Sequence, residues 1–238
     1  EHVGPVVAYN YEYVDALGVY YSLSGDDSVL EALERAARFH ANYTYPDGSM
    51  VETVDERNPY HPGIHLGNPG FSYTAAGRGY LAQQHSLHIS SGGTFDEDYA
   101  ANMILSAGEG LIEETAGLRE RHHFRMDDDA LIVRHKPWFV SYSAYTCEPH
   151  ETRWRQDRQN FVSIFHDTAG LILGGGNTKL QPLWSTCTVG DTGLLFHVSG
   201  EEEPDFSSRA GLQHVPDRAA PGKDSAQPSL TLSFGLDE

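Results

Sequence analysis

Tyr60 and His61 stand side by side in "PYHPGIH", with a second imidazole, His65, close behind, and Pro59, Pro62 and Gly63 set between them. The device recurs in "GNPGFSY", where another rigid turn presents Tyr73. Phenols and imidazoles accept and donate protons, and rigid turns that carry titratable groups are a way for a scaffold to aim catalytic side chains. The same residues can also serve as loop-packing aromatics and polar caps. Around them lie Glu52, Asp55, Arg57, Asn58 and Arg78, which supply carboxylate, amide and guanidinium chemistry to the same stretch.

Asp47 to Tyr80, "DGSMVETVDERNPYHPGIHLGNPGFSYTAAGRGY", sustains neither a helical nor a strand period. Long connections of this kind inside compact domains are usually binding loops, lids or linkers. Its proline-glycine turns predict an ordered loop lining a cleft, with its side chains converging. Helices should precede and follow it. In "DDSVLEALERAARFHANY" an Asp cap leads Val29, Leu30, Leu33, Ala36, Ala37 and His40 along one helical stripe. Upstream, "YNYEYVDALGVYYSLSG" places Tyr13, Leu17, Tyr20 and Tyr21 on a face and stops at Gly25, giving a helical hairpin. "SYTAAGRGYLAQQHSLH" and "DEDYAANMILSAGEGLIEE" continue as helices.

From about Leu118 alternation and β-branched residues take over. "HHFRMDDDALIVRH" reads as two strands around an Asp turn, "PWFVSYSAYT" as a third, and "FVSIFHDTAGLILGGGN" as two more across His166 to Gly170. "STCTVGDTGLLFHVSG" and "SLTLSFG" continue the series, whereas "EEEPDFSSRAGLQHVPDRAAPGKDSAQP" reads as a loop. The chain therefore divides into a helical region, 1–117, and an antiparallel β-sandwich region, 118–238.

Other chemical candidates give way to simpler readings. "GLILGGGNTK" lacks phosphate-loop spacing and reads as a bulge or tight hairpin. His122 and His123 are neighbours on a strand and point to opposite faces, so they do not share one metal ion. The run at Asp127 is a solvated turn without calcium-loop spacing. "TRWRQDRQN" is either a stacked, charged loop edge or a rim for an anionic ligand. Cys147 and Cys187 either pair across a sheet or stay as buried thiols, and "NYT" at Asn42 fits a glycosylation sequon. No metal or cofactor is expected. With 16 Lys+Arg against 34 Asp+Glu, the formal charge of -18 repels nucleic acid and anionic membranes. No apolar run approaches the length of a membrane span.

A helical hairpin followed by "YPDGSM", then a polar loop with adjacent Tyr and His, then a helix, and downstream "WFVSYSAY" and "FHDTAGLILGGGNTK", resembles the heparinase II/III-type polysaccharide lyases. The resemblance implies a partial (α/α) toroid followed by an antiparallel β-sandwich, and a cleft holding a uronic-acid-containing chain. A full toroid needs roughly a dozen helices, so the segment before Leu118 is expected to be a C-terminal portion, exposing helix faces that the rest of its toroid would cover.

The implied reaction is β-elimination on an acidic polysaccharide or oligosaccharide by a secreted or periplasmic lyase. Arg57, Asn58 and Arg78 are candidates to neutralise the uronate carboxylate, with Glu52 a further substrate contact; Tyr60, His61, His65 and Tyr73 are candidates for base and acid. The alternatives are a glycoside hydrolase of an (α/α) toroid family using Glu52 and Asp55 as paired carboxylates, and a non-catalytic carbohydrate-binding or structural fragment.

Overall fold

A computed structural model describes residues 5–55, 58–146, 160–175, 186–187, 216–224 and 227–235. It is an α+β protein whose order is α1 (Val7–Ser24), α2 (Leu30–Asn42), α3 (Ala75–Ser90), α4 (Glu97–Ser106), then strands β1 (Arg121–Met126), β2 (Ala130–His135), β3 (Trp138–Ser143), β4 (Val162–His166), β5 (Gly170–Leu173), β6 (Arg218–Pro221) and β7 (Leu230–Ser233). Two compact units result. One comprises Val7–Met50 and Pro62–Arg119; the other comprises Glu1–Val6, Val51–His61 and Glu120–Glu238. The expected boundary after residue 117 is close to the observed one, but Val51–His61 belongs with the strands. The Asp47–Tyr80 stretch, expected to be one ordered loop with converging side chains, is therefore divided after Met50 and again after His61.

In the helical unit, α1 stops at Gly25, whose φ of 63° suits a left-handed cap and whose N–H donates to the Tyr21 carbonyl at 2.8 Å. The Asp26 carboxylate accepts from the Ser28 N–H at 3.0 Å, capping a 3-10 turn that leads into α2. Leu33, Ala36, Ala37 and His40 are buried as their stripe requires. The face of α1 differs from expectation in part: Leu17 and Tyr21 pack against the core, but Tyr13 and Tyr20 are 47% and 48% exposed, and Val7, Val14 and Gly18 are buried. Close approach decides this, because a Cβ on Gly18 would lie 2.3 Å from the Cα of Gly70. Backbone contact at these two glycines, rather than the bulk of the tyrosines, sets the rotation of α1.

Pro69–Tyr73 forms a 3-10 turn against which α1, α2 and α3 pack, and Phe71 at its centre is fully buried with Val14, Leu33 and Tyr80. Burying a side chain of this kind stabilises by about 1.5–3 kcal/mol. Glycines that weaken the helical pattern of α3 have packing reasons. A Cβ on Gly77 would lie 2.0 Å from the Phe71 carbonyl oxygen, and one on Gly79 1.7 Å from that of Glu113. Helix α4 is capped by Asp96, which accepts from the Tyr99 N–H at 2.7 Å, and it ends at Ser106 rather than running on to Glu114. Gly110, at φ 154°, lies in the segment that follows, and that segment runs back along α3, where the Glu113 N–H donates to the Ala75 carbonyl at 3.0 Å. Leu23 on α1, and Ile104 and Leu105 on α4, are more than four-fifths exposed.

In the other unit β1 to β5 form a five-stranded antiparallel meander, with Ile132, Ser141 and Ser163 side by side across β2, β3 and β4. Next along the same face are Arg134, Phe139 and Phe165, all buried. The Arg134 guanidinium grips both Asp167 carboxylate oxygens, at 2.7 and 2.8 Å, the bidentate geometry that makes a buried arginine tolerable. As alternation predicts, His122 faces this side and His123 the other. The segment read as a loop before the last strand is corrected in part. Arg218–Pro221 pairs with β7, giving that strand a partner, and Pro221 sits at the strand end, where a missing N–H is least disruptive. Cys147, the arginine-rich "TRWRQDR" and most of "STCTVGDTGLLFHVSG" lie outside the described residues.

Replacing Gly79 by Ala should lower stability by about 1–3 kcal/mol despite alanine's higher helix propensity, because the methyl meets a carbonyl of the returning segment. Urea midpoints of the two proteins measure this; an unchanged or raised midpoint would mean that the close approach does not constrain α3.

Candidate functional site

In the β unit, Val51–His61 is anchored at one end by a 3-10 turn, Glu52–Val54. Ser141 and Ser163 are adjacent hydroxyls on a mostly apolar sheet face, and the turn docks on both. Thr53 Oγ1 lies 2.5 Å from Ser141 Oγ, and Glu52 Oε1 accepts from Ser163 Oγ at 2.5 Å. The same Oε1 accepts from the Gly175 N–H at 2.9 Å, while the Gly175 carbonyl accepts from the Tyr60 N–H at 2.6 Å. One residue, Gly175, thus joins Glu52 to Tyr60. Gly175 and its neighbour Gly174 have φ of 115° and 120°, and a Cβ on Gly174 would come 2.4 Å from Ser163 Oγ and 2.7 Å from Glu52 Oε1. The glycine run therefore ends the hairpin and lets its backbone reach the carboxylate.

Glu52, expected to touch substrate, is only 3% exposed and acts as an internal clamp. A buried carboxylate must be surrounded by donors, and those donors hold it away from solvent. Beyond the turn the Asn58 amide donates to Asp55 Oδ2 at 3.0 Å, Asn58 and His61 are exposed, and Tyr60 is half-buried. Arg57 lies outside the described residues.

In the helical unit the exposed His65 sits on a segment fastened from below. Its carbonyl accepts from the Tyr80 hydroxyl at 3.0 Å, and the next carbonyl, Leu66, accepts from the Tyr99 hydroxyl at 2.9 Å. Tyr99 in turn lies 2.6 Å from His85 Nε2. The Asn68 amide donates to the Tyr11 carbonyl at 3.2 Å, and the Tyr11 ring stands edge-on to that of His65, with centroids 6.3 Å apart. Beneath lies His40, with no exposed surface, ringed by Tyr11, Phe39, Phe71 and Tyr80 at centroid distances of 5.3, 5.3, 5.0 and 5.3 Å. Neither imidazole nitrogen of His40 has a hydrogen-bond partner among the described residues. Burial, with a smaller contribution from His65, pushes its pKa from 6.5 down to about 3. Burial also pushes the Tyr11 phenol up to about 12 and raises that of Tyr80 further above its ordinary value.

Two of the expected site residues have structural partners instead. Tyr73 donates its hydroxyl to the Ser106 carbonyl at 2.5 Å and meets the Tyr21 ring edge-on at 4.9 Å. Arg78 donates Nε to the Leu111 carbonyl at 2.7 Å and Nη1 to the Ser72 carbonyl at 2.5 Å. Both fasten irregular backbone to α3 and the turn before it, where an unmatched carbonyl is costly. The structure thus gathers Asn58, Tyr60 and His61 with Asp55 in one unit, and His65 with Tyr11, His40, Tyr80 and Tyr99 in the other. Of the residues absent from the expected site, His40 alone has a sequence signal, a titratable group within the apolar stripe of α2. Among the described residues, no group of three or more His, Cys, Asp or Glu is placed to hold a metal ion, and no helix is long and apolar enough to cross a membrane. No family model, curated protein or solved structure matches the chain.

The Glu52 clamp should tolerate an amide better than truncation. Glu52→Gln keeps an acceptor for Ser163 and Gly175 and is expected to cost about 1 kcal/mol, whereas Glu52→Ala leaves both donors unmatched in a cavity and should cost about 2–4 kcal/mol. Urea titrations of both variants test the difference, and equal small losses would remove the clamp from consideration. For His40 the folded pKa lies below the unfolded one, so only the unfolded chain binds a proton at this position between about pH 6.5 and 3. The neutral imidazole's contribution is complete above pH 6.5 and is lost on acidification, at up to about 1.4 kcal/mol per pH unit. The stability difference between wild type and His40→Leu, measured from pH 8 to pH 4, should shift against wild type as pH falls; a constant difference would mean that His40 protonates freely in the folded protein.

Proposed function

We propose that this protein cleaves a uronic-acid-containing glycan by β-elimination, with Tyr60 and His61 moving the protons. One observation carries the reading: a half-buried phenol and an exposed imidazole at adjacent positions on a segment pinned by a buried carboxylate and by the bond from Tyr60 N–H to Gly175. Side chains aimed from fixed backbone need little reorganisation on meeting substrate. In the elimination a base takes the proton beside the uronate carboxylate. The electron pair forms a carbon–carbon double bond as the glycosidic carbon–oxygen bond breaks, and an acid protonates the departing oxygen. The carboxylate must be neutralised first, and Asn58, next to Arg57 in the chain, is the amide in reach of that task. His65 lies on the helical unit and is assigned no step here. Tyr73, Arg78 and Glu52 have other partners and are left out of the mechanism.

The same reading takes the helices as part of an (α/α) toroid and the meander as one layer of a β-sandwich, as in the heparinase II/III-type lyases. The exposed apolar faces of α1 and α4 favour it, since toroid helices pack on neighbours to either side. A secreted or periplasmic location goes with a polymeric glycan substrate. A glycosidase pairing Glu52 with Asp55 is not favoured, because a carboxylate enclosed by its own donors cannot reach a glycosidic oxygen.

Elimination leaves a conjugated double bond that absorbs in the near ultraviolet. Incubation with a panel of uronate polymers should produce that absorbance, and Tyr60→Phe and His61→Ala should each reduce its rate by about 10²–10⁴-fold with stability changed by less than about 0.5 kcal/mol. New reducing ends without the absorbance, or variants that unfold instead of falling silent, would overturn the reading.

A further inference from the structure

On the face of the meander opposite Arg134 and Phe139, at its exposed His135 end, one cross-strand row runs Arg121, His135, Trp138, His166. Arg121 pairs with His135, His135 with Trp138, and Trp138 with His166, so alternation places all four on one face. The row spans four strands, about 14 Å at the usual strand spacing. Trp138 is 46% exposed, unusual for the largest apolar side chain, and its indole meets the edge of the His166 ring at a centroid distance of 4.7 Å. Arg121 and His135 are exposed, and neither has a carboxylate partner among the described residues. Lys136, beside them, pairs with Glu120 at 3.2 Å.

The row is also rigid. The Thr168 and Ala169 N–H groups point at His166 Nδ1, at 3.1 and 3.3 Å, so Nδ1 is the acceptor and Nε2 carries the outward N–H. The turn that supplies those donors is locked from beneath by the Arg134–Asp167 pair, and sideways by the Asp167 N–H, which donates to the Pro137 carbonyl at 3.0 Å. Pro137 directly precedes Trp138, so the hairpin carrying the indole and the turn carrying the imidazole are fixed to each other.

We infer that this row is a binding surface for an acidic glycan, with a sugar ring stacked on Trp138, ring hydroxyls accepting from His166 Nε2, and a uronate carboxylate facing Arg121. Charge selects the occupant. In a chain of formal charge -18, Arg121, with no carboxylate partner among the described residues, sets a positive charge in the same row as an exposed indole and two imidazoles. Nucleic acid meets the same long-range repulsion with a far higher charge density, and a neutral sugar gains nothing from Arg121. The inference rests on the proposed function only for the class of glycan, since binding is measured without turnover.

Titration calorimetry with a size-defined galacturonan oligosaccharide, a cello-oligosaccharide of the same length and inorganic polyphosphate tests it. The galacturonan should bind at least tenfold more tightly than either of the others. Trp138→Ala should weaken that binding by about tenfold, Trp138→Phe by less, and Arg121→Ala more at low salt than at high. Both positions are exposed, and melting temperatures establish that each variant is folded. Binding that survives when no elimination is detected would sink the lyase reading and leave this surface standing. Folded variants at both positions that bind as wild type does, equal affinity for polyphosphate, or no galacturonan binding at all would each overturn the inference.

Discussion

Irregular backbone cannot be buried unless its N–H and C=O groups find partners, and this requirement governs both units. The helical unit meets it with side chains of α3 and α4. Gln83 and Gln84 donate to the carbonyls of Tyr45 and Gly48, each at 3.0 Å, holding the Asp-Gly-Ser turn. Tyr80 and Tyr99 do the same for His65 and Leu66, and Arg78 for Ser72 and Leu111. In the β unit the roles reverse, and the buried Glu52 carboxylate accepts where a hairpin end would otherwise leave the Gly175 N–H unmatched. Each polar side chain turned inward in this way fixes a stretch that carries an exposed titratable group.

The elements with a regular period were legible because their burial and their period coincide. The stripe of α2 and the alternation of β3 and β4 belong to elements whose backbone is matched within the helix or by neighbouring strands, so a reading of side-chain pattern suffices. The misreadings occur where contact between backbones decides. Nothing in the tyrosines of α1 reveals that Gly18 meets Gly70, and the glycines of α3 weaken a propensity argument while permitting the approach of Phe71 and Glu113. Strand β6 was hidden for a related reason: its pairing with β7 is non-local, and Pro221 is tolerated only because it falls at the end of the ladder.

The site was legible in its chemistry and much less so in its roles. Tyr60 and Tyr73 have the same letter and are both half-buried, and what assigns Tyr73 a structural role is the bond from its hydroxyl to the Ser106 carbonyl. Pro59, Pro62 and Gly63 read as marking one rigid segment, yet the units divide within it, after His61, with no signal in composition or spacing. Glu52 could be recognised as chemically capable but not as buried, because its donors, Ser163 and Gly175, come from far along the chain.

Electrostatics then shifts attention from the loop to the sheet. An acidic chain approaching a protein of formal charge -18 needs local attraction within about a Debye length, roughly 8 Å at physiological salt. Arg78 cannot supply it with Nε and Nη1 already engaged by carbonyls, and Arg38 is paired with Glu34 at 2.6 Å and Glu113 at 3.1 Å. Strand alternation, by contrast, aligns residues that lie far apart in sequence, so Arg121 joins His135, Trp138 and His166 in one row that no sequence window contains. A cation in an irregular loop is easily drawn into satisfying the loop's own carbonyls, whereas a strand's carbonyls are already matched by its neighbours. The same accounting separates two arginines on one face of β1: Arg125 is drawn to the Gly222 carbonyl just past the end of β6, whereas Arg121, whose neighbours are strands with matched carbonyls, remains available to a ligand.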